Sequence, residues 1–276
     1  MKNKRLPDFF LIGAMKSGTS SLHYYLDQHP AISMSAIKEP NYFSKTRSFL
    51  HKGKAWYMSL FPDNNNIKGE SSTAYTKHPH IQGVPSRIRK INRQAKFIYL
   101  LRHPVDRTVS HIQHDMLEGL IPYVKYMDGY IRQKENNIYV DCSRYMTQLN
   151  QYLKLFPKEN FLILSLEELN SNPEETTDRV FHFLGVEGQL KKNVFENKKN
   201  VSGDRKMITN RLLYKRMLRK EKSGKTPVGR ADETYRKEFI PPEISEAAVE
   251  DFIEDLKPDI EVLYQFIGRK FNWEGF

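Results

Sequence analysis

Apolar residues fall in short runs whose period switches between strand-like and helix-like along the chain. Phe9-Phe10-Leu11-Ile12, between Asp8 and Gly13, is continuously apolar, the pattern of a parallel strand buried on both faces. Lys96 to Leu101 repeats it and stops at Arg102-His103-Pro104. Asn160 to Leu166 is a third such run. Between them the period lengthens. Ser17 to His29 puts Leu22, Tyr25 and Leu26 on one helical face. Val84 to Ile91 predicts a short basic helix, Val105 to Glu118 a longer one, and Tyr145 to Phe156 another, closed by Pro157. Pro173 to Leu184 predicts a helix ending at Gly185, and Ile244 to Phe266 a last one docked on the sheet. Residues 30–70, with Pro30, Pro40, Pro62 and Asn64-Asn65-Asn66, read as loop-rich. Strands alternating with helices predict an α/β fold with a central parallel sheet flanked by helices. No repeat or linker divides the chain, so residues 1–276 read as one domain.

Composition narrows the classes. Hydrophobic residues are 39% and charged residues 28% of 276, a globular mix that excludes disordered and fibrous chains. No apolar run approaches the roughly 20 residues of a membrane-spanning helix. Lys2, Lys4 and Arg5 before Phe9 to Met15 imitate a signal peptide, but Pro7-Asp8 interrupts the approach and no small-x-small site follows. The first run is therefore read as a buried strand and the chain as cytoplasmic. A single cysteine, Cys142, excludes an internal disulfide and a cysteine-rich zinc site. The 44 Lys and Arg against 33 Asp and Glu give a charge of +11, which favours anionic partners. Asp204 to Lys225 holds nine basic residues, either a solvated helix face or a flap over an anion.

The candidate chemistry begins at the turn Gly13-Ala14-Met15-Lys16-Ser17-Gly18-Thr19-Ser20-Ser21, between the first strand and first helix. Such a turn aims backbone N–H groups and the positive helix end at one point, an anion site. Gly18 permits close approach, Ser17, Thr19, Ser20 and Ser21 offer hydroxyls, and Lys16 offers a mobile charge. A Walker A loop requires G-x-x-x-x-G-K-[ST]. Gly13 and Gly18 have that spacing, but Thr19 stands at the lysine position. A nucleotide-dependent phosphotransferase (kinase) is therefore the second reading, and a nucleic-acid binder, suggested by the charge alone, the third.

Lys16-Ser17-Gly18-Thr19-Ser20 behind an apolar strand resembles the 5′-phosphosulfate loop of sulfotransferases that use 3′-phosphoadenylyl sulfate (PAPS). The strand ending in Arg102, with Ser110 eight residues on, resembles the element that holds the cofactor's 3′-phosphate in that family. Further similarity to the heparan sulfate N- and 3-O-sulfotransferase catalytic domains and their bacterial relatives lies in His29-Pro30, Lys38-Glu39-Pro40-Asn41-Tyr42-Phe43, Gly53-Lys54-Ala55-Trp56-Tyr57, Gly69-Glu70, Ala74-Tyr75, and Tyr152-Leu153 through Phe156-Pro157. The resemblance implies a three-layer P-loop-like fold and in-line sulfuryl transfer from PAPS, leaving PAP, with no metal required. It implies Lys16 at the leaving oxygen and Glu39 as general base, with His23, His103, His111 and His114 as rival bases. It implies that Gly229 and Arg230, with Lys225, belong to a loop over the cofactor.

The sequence also departs from these relatives. Ser71 stands where glycosaminoglycan enzymes carry lysine, Asn41 replaces a histidine of some relatives, and no acidic residue follows Phe43. These changes fall on the acceptor side. Together with the single cysteine and the lack of a membrane-spanning run, where the animal Golgi relatives carry an anchor and paired late cysteines, they lead to the expectation of a soluble bacterial enzyme acting on a small-molecule or glycan acceptor, without nucleic acid or membrane span.

Overall fold

The computed structural model describes residues 6–44, 51–133, 135–188, 190–196 and 205–276. Lys2, Lys4, Arg5 and Asp204, which entered the sequence reading, lie outside them. Five strands, β1 (Phe9–Gly13), β2 (Ile32–Met34), β3 (Ile67–Ser71), β4 (Lys96–Leu101) and β5 (Phe161–Ser165), form a sheet of order β2-β3-β1-β4-β5. Every pairing is parallel, with Phe10 opposite Glu70 on one side and Phe97 on the other. The fold is α/β, as the alternating periods predicted. Among the described residues no helix is long and apolar enough to cross a membrane.

The helices of eight residues or more are α1 (Thr19–Asp27), α2 (Val84–Ile91), α3 (Pro104–Leu117), α4 (Tyr145–Leu153), α5 (Pro173–Leu184), α6 (Arg211–Lys222) and α7 (Glu246–Ile267). Successive strand residues point to opposite faces, so each central strand feeds two cores. Phe10, Ile12, Phe97, Tyr99 and Leu101 pack with Ile112 of α3, Leu149 of α4 and Leu256 of α7. Phe9, Leu11, Ile98, Leu100 and Leu164 pack with Leu22 of α1 and Val180 of α5. This double burial is why β1 and β4 have no polar alternation. A separate two-stranded antiparallel sheet pairs β6 (Lys206–Ile208) with β7 (Arg236–Glu238).

Two features differ from the sequence reading. Residues 30–70 contain β2 and β3 rather than loop alone. β3 carries Lys68, Gly69 and Glu70 into the interior, so it lacks an apolar run. The Lys68 ammonium donates to the Asn64 and Asn66 carbonyls, and a Cβ on Gly69 would meet the Phe9 ring. The second difference is α7: it shares the core on one sheet face as expected, but its principal neighbours are α4 and the short helix Asp128–Arg132. Its carboxylate Asp259 caps α4, accepting from the Met146 and Thr147 N–H groups at 2.8 Å each.

The topology fixes where a ligand fits. The helix after β1 packs on one face of the sheet and the helix after β4 on the other. Adjacent strands whose connections leave toward opposite faces open a crevice at their C-terminal ends, the usual ligand position in parallel sheets. The β1 turn and Arg102 flank that crevice.

Candidate functional site

The chain leaves β1 with the Ala14 N–H bonded to the Leu100 carbonyl at 2.6 Å, which ties the turn to β4. Gly18 then begins α1 in the left-handed region, at φ 82°. A Cβ there would lie 2.4 Å from Leu166 Cδ1, so glycine is required both by conformation and by the approach to β5. Lys16 also has positive φ, 70°, which is costly for a side chain with a Cβ and is typical of binding turns. No acidic side chain occupies the first turn of α1 and no side chain caps it. Its positive end is thus free of a built-in counter-charge. Ser17 is fully buried, and its hydroxyl has no hydrogen-bond partner among the described residues. Buried hydroxyls are normally satisfied, so this one fits an oxygen supplied by a ligand. Thr19 is buried, and Ser20 and Ser21 are half-buried along the same turn.

Arg102 ends β4, and its Nη1 lies 3.4 Å from the Lys16 carbonyl oxygen. The two sequence motifs, 86 residues apart, therefore meet. The Arg102 carbonyl accepts from the Tyr145 hydroxyl at 2.6 Å, and its guanidinium reaches Asp106 at 3.7 Å. Ser110 stands one turn beyond Asp106 on α3, half-buried. Burial pushes the Lys16 ammonium below the ordinary lysine range, and Arg205 and Arg102 push in the same direction; Asp115 and Glu118 oppose them. Lys77, whose ammonium lies 3.1 Å from Met15 Sδ, adds a further cation beside the turn.

Glu39 sits beyond the end of β3, where its N–H donates to the Ser71 carbonyl at 2.9 Å. Its carboxylate accepts from the Thr73 N–H at 3.0 Å, the Thr73 hydroxyl at 3.1 Å and Lys38 Nζ at 3.0 Å. An ionised carboxylate has about four acceptor sites, so one remains for a proton donor. Behind it, Glu70 is fully buried among Tyr57, Tyr75 and Ser72.

A profile of the sulfotransferase domain matches residues 6–252 of this chain. The chain belongs to the sulfotransferase family. Human bifunctional heparan sulfate N-deacetylase/N-sulfotransferase 2 is 31% identical over 201 residues, 66% of this chain and 22% of that protein. Mouse heparan sulfate glucosamine 3-O-sulfotransferase 3A1 is 27% identical over 287 residues, 99% of this chain and 66% of that protein. The chain thus spans about a fifth of the first relative and about two thirds of the second. The crystal structure of a sulfotransferase from Alicyclobacillus acidocaldarius has the same fold, with a TM-score of 0.67 at 23% identity over 96% of this chain and 97% of that one.

The four histidines that the sequence offered as rival bases differ in environment in this sulfotransferase. His103 Nε2 is 3.0 Å from the Glu274 carbonyl oxygen, and the His103 N–H bonds to Glu167, so the residue fastens the start of α3. His111 is buried, and its titration is pushed far down by that burial and by Arg107 beside it. His114 is pushed down by burial and by Lys16, which locates it beside the turn. His23 lies 2.8 Å from the Ser71 hydroxyl; burial and then Lys38 lower it to about 4. Gly229 starts a short helical segment, Arg230–Tyr235, at φ 91°, and Arg230 pairs with Glu233 at 3.3 Å. That pair lies within the segment itself. Arg205, just before β6, is the residue of this unit whose charge is felt at Lys16. Only the basic density of 204–225 hinted at it, since no motif singles out one cation among nine. Lys77 and Thr73 likewise carry no sequence signature.

Proposed function

We propose that this sulfotransferase moves a sulfuryl group from PAPS to a hydroxyl or amine on a small-molecule or glycan acceptor. The observation that carries the reading is the meeting of the Lys16 turn and Arg102 at the β1–β4 crevice, beside a buried Ser17 hydroxyl without a partner. PAPS carries a sulfuryl group activated on a phosphate leaving group, with a second phosphate at the other end of the nucleotide. The residues present fit it. Lys16, Ser17, Gly18, Thr19, Ser20 and Ser21 would hold the 5′ end through N–H groups, hydroxyls and one ammonium. Arg102, with a fork suited to phosphate, and Ser110 would hold the 3′ end. Lys16 stabilises charge developing on the leaving oxygen, and a cation preorganised in a partly buried site does this without reorganising. Arg205, whose charge is felt at Lys16, would join Gly229 and Arg230 in the covering role that the sequence suggested for those two.

Glu39 takes the acceptor's proton on its remaining free lone pair, and Thr73 and Lys38 hold the carboxylate for that task. His23, held near 4, is a weak base beside it. The names of the relatives specify heparan sulfate, which supports a glycan among the acceptors to be tried. The test is incubation with PAPS and a panel of amines, phenols, sugars and secondary metabolites, with mass spectrometry for the gain of one SO3. Wild-type protein should modify at least one class, while Lys16→Ala and Glu39→Gln lose transfer and remain folded. Full activity of Glu39→Gln would return the role of base to a histidine, and full activity of Lys16→Ala would remove the leaving-group role.

A further inference from the structure

We propose that Glu70 is a positioning residue for Glu39, the buried anchor from which two hydroxyl relays hold the bend at residues 39–43. The inference deepens the proposed function, since it rests on Glu39 being the base. The geometry begins with a carboxylate of no exposure on β3. Among the described residues no Lys or Arg pairs with it. Its Oε1 accepts from the Ser72 hydroxyl at 2.7 Å and from the Tyr75 hydroxyl, and its Oε2 accepts from the Tyr57 hydroxyl.

Each donor has a second task, and all three tasks converge on one segment. Ser72 Oγ accepts the Asn41 N–H at 3.1 Å. Tyr75 Oη accepts the Phe43 N–H at 3.2 Å. The Tyr57 ring stacks on Tyr42, with centroids 4.2 Å apart and planes 8° apart. A hydroxyl has one proton; given to Glu70, it leaves the oxygen free to accept a backbone N–H. Consecutive bonds of this kind polarise and strengthen one another. The bend needs such support. Glu39 and Asn41 both have positive φ, 59° and 52°, and neither is glycine. The Thr73 groups that hold the Glu39 carboxylate follow Ser72 directly. One buried oxygen therefore sets the direction of both relays. Burial raises Glu70 to about 7 in spite of its three donors. A merely structural core position would be filled at lower cost by an apolar side chain.

The test combines site-resolved hydrogen exchange, which needs no acceptor, with steady-state transfer to the acceptor that the panel identifies. Glu70→Leu removes the shared oxygen. It should speed exchange of both the Asn41 and Phe43 amides about tenfold, the loss of roughly one hydrogen bond's net stabilisation, and leave β1 and β4 amides unchanged. Its kcat should fall about tenfold or more, within the 10²–10⁴-fold worth of a general base, with affinity for adenosine 3′,5′-bisphosphate within twofold of wild type. Glu70→Gln, which still offers an oxygen to Ser72 and Tyr75, should recover most of both losses. If Glu70→Leu does not fold, Ser72→Ala should speed Asn41 alone and Tyr75→Phe should speed Phe43 alone. Unchanged exchange at both amides, or faster exchange with unchanged kcat, overturns the proposal. Glu39→Gln separates the two readings, since it should abolish transfer and leave the two amides at wild-type rates. Transfer retained in Glu39→Gln defeats the base assignment, whereas unchanged amides in Glu70→Leu defeat the anchor alone.

Discussion

Replacing Gly18 by alanine tests whether the turn is held as closely against the sheet as the geometry requires. Two costs follow from the structure. The left-handed backbone at φ 82° costs a residue with a Cβ about 1–2 kcal/mol. The new methyl would also lie 2.4 Å from Leu166 Cδ1, well inside the 3.5–4.0 Å of an ordinary carbon contact. Leu100 Cδ2, at 3.8 Å, would not need to move. The Leu166 side chain has to rotate off its well, at about 0.5–1.5 kcal/mol. The expected loss is then about 1.5–3.5 kcal/mol, the sum of the two costs. For a chain of this length that lowers Tm by about 3–6 °C. Thermal unfolding followed by circular dichroism, together with urea denaturation, measures it. The arm that isolates the contact is a double-mutant cycle with Leu166→Ala, which removes the obstructing carbon and should return about 0.5–1.5 kcal/mol of the penalty. A loss below about 0.5 kcal/mol, the ordinary scatter of surface substitutions, would refute the backbone argument. A cycle with zero coupling would refute the steric one.

Three other outcomes are expected. Arg102→Ala should weaken adenosine 3′,5′-bisphosphate binding by about 2–5 kcal/mol in a calorimetric titration, and unchanged affinity would exclude this arginine from the nucleotide site. Burial alone would raise Glu168, but hydrogen bonds from Arg269, the Ser165 N–H and Arg179 outweigh it and hold the carboxyl at about 2. Its stabilisation is thus complete above the ordinary carboxylate range and lost as pH falls from about 4.5 toward 2, at most about 3 kcal/mol. The Tm gap between wild type and Glu168→Gln should accordingly be wide at pH 7 and close near pH 2; a gap constant with pH contradicts the linkage. Cys142 is buried and its thiol is pushed up by that burial, so iodoacetamide should label it only as the protein unfolds, and rapid labelling of native protein would contradict the packing.

What the sequence disclosed follows from which contacts are local. β1 and β4 were legible because burial on both faces leaves an uninterrupted apolar run. The Lys16 turn was legible because its glycine, hydroxyls and lysine are consecutive, and Arg102 because it ends a strand of that kind. β3 was not legible. Its lysine donates in the interior to the Asn64 and Asn66 carbonyls, its glycine makes room for Phe9, and its glutamate is satisfied by hydroxyls of Tyr57, Ser72 and Tyr75. Most of those partners are near in sequence, but polar residues beside a polar strand do not announce that they fold over it and bury it, and Phe9 lies far outside any window over 67–71. α7 was legible as a helix from its periodicity, but not its seat on α4 and the Asp128–Arg132 helix, which depends in part on Asp259 capping α4 more than a hundred residues earlier. Arg205 was hidden for a different reason: in a segment dense with cations, only the fold selects the one beside Lys16.

The position of β1 in the middle of the sheet has a consequence for the birth of the molecule. The strand that bears the Lys16 turn leaves the ribosome before the other strands of its sheet, and its two neighbours, β3 and β4, begin some sixty and ninety residues later. Until β3 and β4 arrive, the Phe-Phe-Leu-Ile run has α1 for one face but no strand on either edge and no cover for Phe10 and Ile12. Parallel pairing across such separations is slow, because long loops must close before any contact rewards them. Nascent chains should therefore depend on shielding of this early segment, and ligand affinity should appear late in refolding, after the sheet has closed around it.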